Sequence, residues 1–171
     1  MNYLNIAIST NNTPKLDPTF IPFGVWRKAF LETATEPFSV AIEREDGKIT
    51  VLHTFLRDSS FAEANYRYAE RTVKFLLWSV GGFRVYLHGD ETVIARIQKA
   101  YTSTGERAFD VQFMQDVYER PFEVRSVSKE DFPEANESAV AAGGHMEGCR
   151  IGFDAGGSDR KVSAVIDGGC V

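Results

Sequence analysis

Phe38-Ser-Val-Ala-Ile-Glu-Arg-Glu-Asp46-Gly47-Lys-Ile-Thr-Val-Leu-His-Thr-Phe55 is the stretch that decides how the first and larger part of this chain is read. Val40 and Ile42 alternate with polar residues before Asp46-Gly47, and Ile49, Val51, His53 and Phe55 alternate after it. A period of two is that of a strand, and an Asp-Gly pair accepts the positive φ of a tight turn, so the stretch predicts a β-hairpin. Ser60-Phe-Ala-Glu63 follows with the spacing of a capping box, in which the two side chains satisfy exposed amides at a helix start. The long helix predicted after it carries Ala62, Tyr66, Ala69, Val73, Leu76 and Val80 as its buried stripe. Gly81-Gly82 stops it, and Phe83, Val85 and Leu87 alternate with Arg84, Tyr86 and His88 in a strand that packs against the helix.

Outward from this nucleus, a second helix is predicted from about Asp90, its cap, to Tyr101, with Val93, Ile94, Ile97 and Tyr101 inward. Thr102–Arg107 reads as a loop. A third helix places Phe109, Phe113, Met114, Val117 and Tyr118 on one face, and Pro121, which lacks an amide hydrogen, ends it before a strand over Phe122–Val127. Upstream, Pro14, Pro18, Pro22 and Pro37 break up the first 37 residues, within which Val25–Thr33 reads as a short helix. Alternating strands and helices predict an α/β fold with a mixed sheet, a β-hairpin and about three helices over residues 1–127. Residues 128–148 turn acidic and small, Ala139–Gly144 reading Ala-Val-Ala-Ala-Gly-Gly, and are expected to form a linker.

A chain of 171 residues, 43% hydrophobic and 12% aromatic, buries one core of ordinary size. Its net charge is −5, with Lys and Arg scattered, so it offers no electrostatic footprint for nucleic acid. No stretch approaches the length of a membrane span, and residues 1–14 lack a signal peptide's basic start and apolar core. The expectation is therefore a cytoplasmic protein. Cys149 and Cys170, its two thiols, have neither CxxC spacing nor neighbouring metal-type partners and read as ordinary reduced thiols.

Chemistry concentrates in Cys149-Arg-Ile-Gly-Phe-Asp154-Ala-Gly156-Gly157-Ser158-Asp-Arg-Lys161-Val-Ser-Ala-Val-Ile166. A hydrophobic strand delivers Asp154 to a glycine-rich turn, and a second strand, Val162–Ile166, leaves it. Gly156 and Gly157 remove side chains so that backbone amides can approach a phosphate, Ser158 adds a hydroxyl donor, and Lys161 contributes positive charge. Asp154, at the strand end, suits hydrated Mg²⁺ or a water that orients a phosphate. The glycines are followed by a strand instead of a helix, which excludes the Rossmann and Walker patterns.

Residues 149–168 resemble the first phosphate motif of the ASKHA superfamily of sugar kinases, heat-shock ATPases and actin. Within it, Asp154-Ala-Gly-Gly-Ser-Asp-Arg-Lys161 is most similar to the Asp-x-Gly-Gly-Thr-Lys start of ROK-family repressors and glucokinase-like sugar kinases. Ser158 stands where that family has Thr, and Asp159-Arg160 are inserted before the lysine. The resemblance implies that residues 149–171 begin an actin-like ATPase domain behind an accessory domain. It implies ATP and Mg²⁺ as cofactors, a hexose-type substrate and phosphotransfer. The family's catalytic Asp, sugar-binding residues and adenosine motif lie downstream of this hairpin, so the expectation is an N-terminal part of a sugar kinase or sugar-responsive regulator that is not active alone. The unpaired edges of such a hairpin also favour strand addition to a second copy. The alternative is a non-catalytic small-molecule-binding or dimerisation module, with a homodimer as the expected partner.

His53, His88 and His145 are far apart in sequence and read as core or surface histidines before ligands or bases. Trp26, Tyr66, Tyr68, Trp78, Phe109 and Phe113 read as core, with an interface as the other use of some of them. Asp110 and Asp116 lie six apart on a helix and do not share a face.

Overall fold

The chain divides into two units, residues 1–137 and 138–171, and the computed structural model describes residues 1–10, 14–137, 144 and 147–170. The first unit opens with a short hairpin, β1 (Asn2–Tyr3) and β2 (Ile6–Ala7), that the sequence did not announce. Leu4 and Asn5 turn it at positive φ, which Asn tolerates and Leu rarely adopts. What holds it is tertiary: Ile6 and Ile8 are buried, and Trp26 Nε1 donates to the Tyr3 carbonyl at 3.1 Å.

Helix α1 (Phe23–Leu31) comes next, followed by β3 (Glu36–Glu43) and β4 (Ile49–Leu56), the two arms of the predicted hairpin. Asp46 and Gly47 both take positive φ, as the turn chemistry requires. A Cβ at Gly47 would meet nothing, so Gly47→Ala is expected to cost only the left-handed backbone penalty, about 1 kcal/mol, in chemical denaturation. A loss well above that would show that the turn also makes a packing contact.

Helix α2 (Ala62–Val80), strand β5 (Arg84–His88), helices α3 (Glu91–Ala100) and α4 (Ala108–Tyr118) and strand β6 (Glu123–Ser126) complete the unit. The sheet order is β4-β3-β5-β6, antiparallel except for the parallel β5–β6 pair, so the mixed sheet and α/β class are as expected, with four α-helices among the described residues. Phe38, Val40 and Ile42 of β3, with Val85 and Leu87 of β5, point to one face and pack with Trp26, Phe30, Tyr68, Val73, Leu77, Ile94 and Ile97 from the helices. Asp90 caps α3 by accepting from the Val93 amide, and Gly81 ends α2 at positive φ, both where expected.

Three local expectations are corrected. The Ser60–Glu63 box does not form: Asp58 accepts from the Ser60 amide one turn earlier, and Glu63 reaches across to Arg96 of α3 at 2.8 Å. The buried stripe of α2 keeps Ala69, Val73 and Leu76, with Tyr66 and Val80 half-buried against the core, but leaves Ala62 exposed and adds Ala64, Asn65, Tyr68, Glu70, Thr72 and Leu77. On α4 the inward residues are Asp110, Val111 and Met114, while Phe109, Phe113 and Val117 are exposed. The hairpin register, which alternation alone leaves open, pairs Val40 with Leu52 and Ile42 with Thr50, so Ile49, Val51, His53 and Phe55 lie on the opposite face from Val40 and Ile42.

The second unit is a three-stranded antiparallel sheet, β7 (Cys149–Ala155), β8 (Arg160–Ile166) and β9 (Gly169–Cys170), in that order. Asp167 and Gly168, both at positive φ, turn β8 into β9, and the Asp167 carboxylate accepts from the Gly148 amide at 2.7 Å. Register places Ile151 and Phe153 beside Ala164 and Val162 on one face, where Ile151, Phe153, Val162 and Ile166 are exposed. Cys149 and Cys170 are free and exposed. The Ala139–Ala142 stretch and His145 lie outside the described residues.

Candidate functional site

Strand β7 carries Asp154 to its last turn, where the register sets it directly opposite Lys161 at the start of β8. Opposed residues of an antiparallel pair project to the same face, so the Asp154 and Lys161 side chains leave the same face of the sheet at the neck of the Gly156–Asp159 turn. The strand, turn, strand arrangement is the one the sequence predicts, with β8 starting two residues earlier than Val162.

The two glycines do different work. A Cβ on Gly156 would stand 2.8 Å from the Asp159 carbonyl oxygen and 2.9 Å from its Oδ1, so this glycine is required by the turn itself. A Cβ on Gly157 would meet nothing, and neither residue takes positive φ, so the turn does not itself require a glycine at 157. Asp159 holds Lys161, Oδ2 to Nζ 3.2 Å, an exposed pair of small energetic weight. Asp154, Gly156, Gly157, Ser158 and Lys161 are all exposed.

Among the described residues no three carboxylates, histidines or cysteines converge on one point. The donor set at the turn is thus one carboxylate flanked by a hydroxyl and backbone amides. That set fits a magnesium ion that keeps most of its water and is held through it, and it does not fit a stripped ion in a protein cage.

Two further constellations lie in the first unit, and neither was read from sequence. Ser39 of β3 is in register with His53 on one side and His88 on the other, so the three residues form a row across β4, β3 and β5 on the face away from the helices. Ser39 Oγ and His53 Nδ1 are 2.9 Å apart, and His88 Nδ1 lies 3.1 Å from the Val127 carbonyl oxygen. Further along that face Glu43 accepts from Arg84 at 2.8 Å and from the Tyr86 hydroxyl at 2.7 Å. Burial and then the Glu43 contact push the Tyr86 phenol up, while the Arg84 hydrogen bond holds the Glu123 carboxyl below its ordinary range.

The second constellation joins α2 to α4. The buried Asp110 carboxylate accepts from Lys74 Nζ at 2.9 and 3.0 Å and from Trp78 Nε1 at 2.6 Å, and the buried Glu70 accepts from Arg107 Nε at 2.6 Å. Tyr101 sits in the same seam, where burial first and the Glu70 carboxylate second raise its phenol far above the usual range. Outside the seam Trp78 stacks on Phe113 at 4.9 Å and on Phe109 at 6.3 Å, in an exposed aromatic set beside Phe75. Of the aromatics read as core, Trp26 and Tyr68 are core, whereas Trp78, Phe109 and Phe113 make this surface.

No helix among the described residues is long and apolar enough to cross a membrane. Comparison of the chain with family models, with curated proteins and with solved structures gives no match in any of the three.

Proposed function

We propose that this chain supplies the accessory α/β unit and the opening phosphate hairpin of a ROK-type sugar kinase or sugar-responsive regulator, within the actin-like ATPase superfamily. The observation that supports the reading is the turn between β7 and β8, with Asp154 and Lys161 opposed at its neck and Gly157 open above them. When bound, Mg·ATP supplies the transferable phosphoryl group and the charge that neutralises its oxygens. Asp154 holds the ion through water, Gly156, Gly157 and Ser158 present donors to the phosphates, and Lys161 exchanges its Asp159 partner for a phosphate oxygen. One hairpin offers few contacts against the entropy lost on association, so the expected dissociation constant is on the order of 1 mM.

Titration of the chain with Mg·ATP, followed by amide NMR, is the test. Shifts confined to residues 154–161 and absent in Asp154→Ala are expected. An unchanged spectrum at 10-fold excess over that dissociation constant, roughly 10 mM, removes the reading.

A second reading, a small-molecule-binding module in the first unit, is favoured by the Ser39–His53–His88 row, because it gathers three polar side chains from separate strands on a face that no helix covers.

A further inference from the structure

The segment after β6 crosses the open face of the sheet diagonally. At its start the Val127 amide donates to the Leu87 carbonyl, and at its end Asn136 forms a two-way backbone bridge with Ile49 of β4, 2.9 and 3.1 Å, at the other edge of the sheet. The Asn136 side-chain amide adds a bond to the Gly47 carbonyl at 2.8 Å, and Glu137 accepts from Thr50 and Arg44. Residues 128–137 therefore form a strap fixed at both ends and belonging to the first unit, although composition alone assigns them to a linker.

Between the strap and the sheet lies a cleft of about 550 Å³, within the range of small-molecule sites. Its floor is the Ser39–His53–His88 row, and Phe132 of the strap stands over it, 5.9 Å from the His53 ring and 6.4 Å from the His88 ring. Val51, Pro37 and Pro133 add apolar wall, and Lys129 and Glu134 line the rim. A carbonyl oxygen can only accept, so the contact with Val127 fixes the proton on His88 Nδ1 and leaves Nε2 outside that bond. His53 is likewise held through Nδ1 by Ser39. With Nδ1 engaged, His88 Nε2 donates to a ligand oxygen only when the ring carries a second proton, and the imidazolium so formed, with Lys129 and the Ser39 hydroxyl, outweighs the single carboxylate Glu134, so in that form the polar complement of the cleft favours an anion. The aromatic and proline walls favour an attached carbon skeleton.

We infer that the cleft between strap and sheet binds a small organic oxyanion, a phosphate monoester or a carboxylate, with its charged head on Ser39, His53, His88 and Lys129 and its carbon body against Phe132. This goes beyond the hairpin and needs nothing from it. Because each charge-assisted hydrogen bond is worth more than a neutral one, an anion is expected to bind at least about tenfold more tightly than a neutral analogue of the same skeleton.

The experiment titrates the full chain with phenyl phosphate, benzoate and benzyl alcohol, reading heat and the imidazole proton signals of His53 and His88. One saturable site for phenyl phosphate or benzoate, with both imidazoles shifting, is expected, and whichever anion binds more tightly identifies the head group. His88→Ala and Lys129→Ala should each weaken binding by about tenfold, and Phe132→Ala should weaken anion and alcohol alike. Equal affinity for the alcohol and both anions, or imidazole signals that stay in place at saturation, overturns the inference. His53 and Lys129 are exposed, so their replacement leaves the core intact, and unchanged binding in His53→Ala combined with Lys129→Ala overturns it as well. In all these variants the Mg·ATP response of residues 154–161 stays as in the parent chain, so either proposal can fail without the other.

Discussion

Phe30→Ala is expected to destabilise the α/β unit by about 4 kcal/mol, a large share of a domain's stability. Phe30 is fully buried and sits in the middle of an aromatic ladder that joins two helices: Phe23 on Trp26 at 5.6 Å, Trp26 on Phe30 at 5.2 Å and Phe30 on Tyr68 of α2 at 4.6 Å. Removing the ring deletes its transfer energy and both stacking contacts. The cavity has little means of collapse, because α1 is pinned at its end by Arg57, which donates to the Phe30 and Ala29 carbonyls at 2.8 and 2.6 Å. The Tyr68 hydroxyl is tied to Thr54 at 2.6 Å on the other side. The measurement is urea unfolding followed by helical circular dichroism, a signal that belongs to the first unit because the described part of the second is a sheet. A loss below about 2 kcal/mol would mean that the ladder relaxes and is not the centre of the core.

Lys74→Met is expected to cost about 3 kcal/mol, and Asp110→Ala roughly half of that, although the two residues form one ion pair. The asymmetry comes from burial. The Asp110 side chain is 3% exposed and that of Lys74 29%, so removing the lysine strands a buried carboxylate with Trp78 as its remaining donor. Removing the carboxylate leaves an ammonium and an indole N–H that both reach water, and their desolvation penalty is small. Lys74→Met combined with Asp110→Leu should recover most of the lysine's loss, since an apolar pair needs no partner. Unfolding of the three variants under one set of conditions tests this. Equal losses for the two single changes would show that the pair contributes by geometry alone and that water already reaches Asp110.

How much of the fold was legible depends on whether a local rule had a competitor. Asp46-Gly47, Gly81 and Asp90 behave as read because a positive φ or a capped amide is decided within a few residues. The capping box at Ser60 fails for the same kind of reason, since Asp58 offers its carboxylate to the Ser60 amide first and Glu63 finds an arginine on another helix. On α4 the apolar stripe misled. Phe109, Phe113 and Val117 make the more conspicuous apolar stripe, yet the buried face is fixed by Asp110, whose cost of burial is met by a lysine and a tryptophan from α2 that no local pattern announces.

For the candidate sites the same division holds. The order of Asp154, Gly156, Gly157, Ser158 and Lys161 along the chain already specified a strand, a turn and a strand, because all five lie within one hairpin and their spacing alone sets their register. The row of Ser39, His53 and His88 had only weak traces in sequence, each residue being one more polar position in an alternating strand. Pairing of β3 with both β4 and β5 aligned them, and the Asn136–Ile49 bridge folded the strap across them. The sequence by itself thus determined the α/β class, the main turns and the glycine-rich strand-turn-strand hairpin, since these depend on period, φ and spacing. Tertiary structure alone decided which face of each element is buried and which distant side chains meet, because those follow from strand register and from the pairing of buried charges between helices.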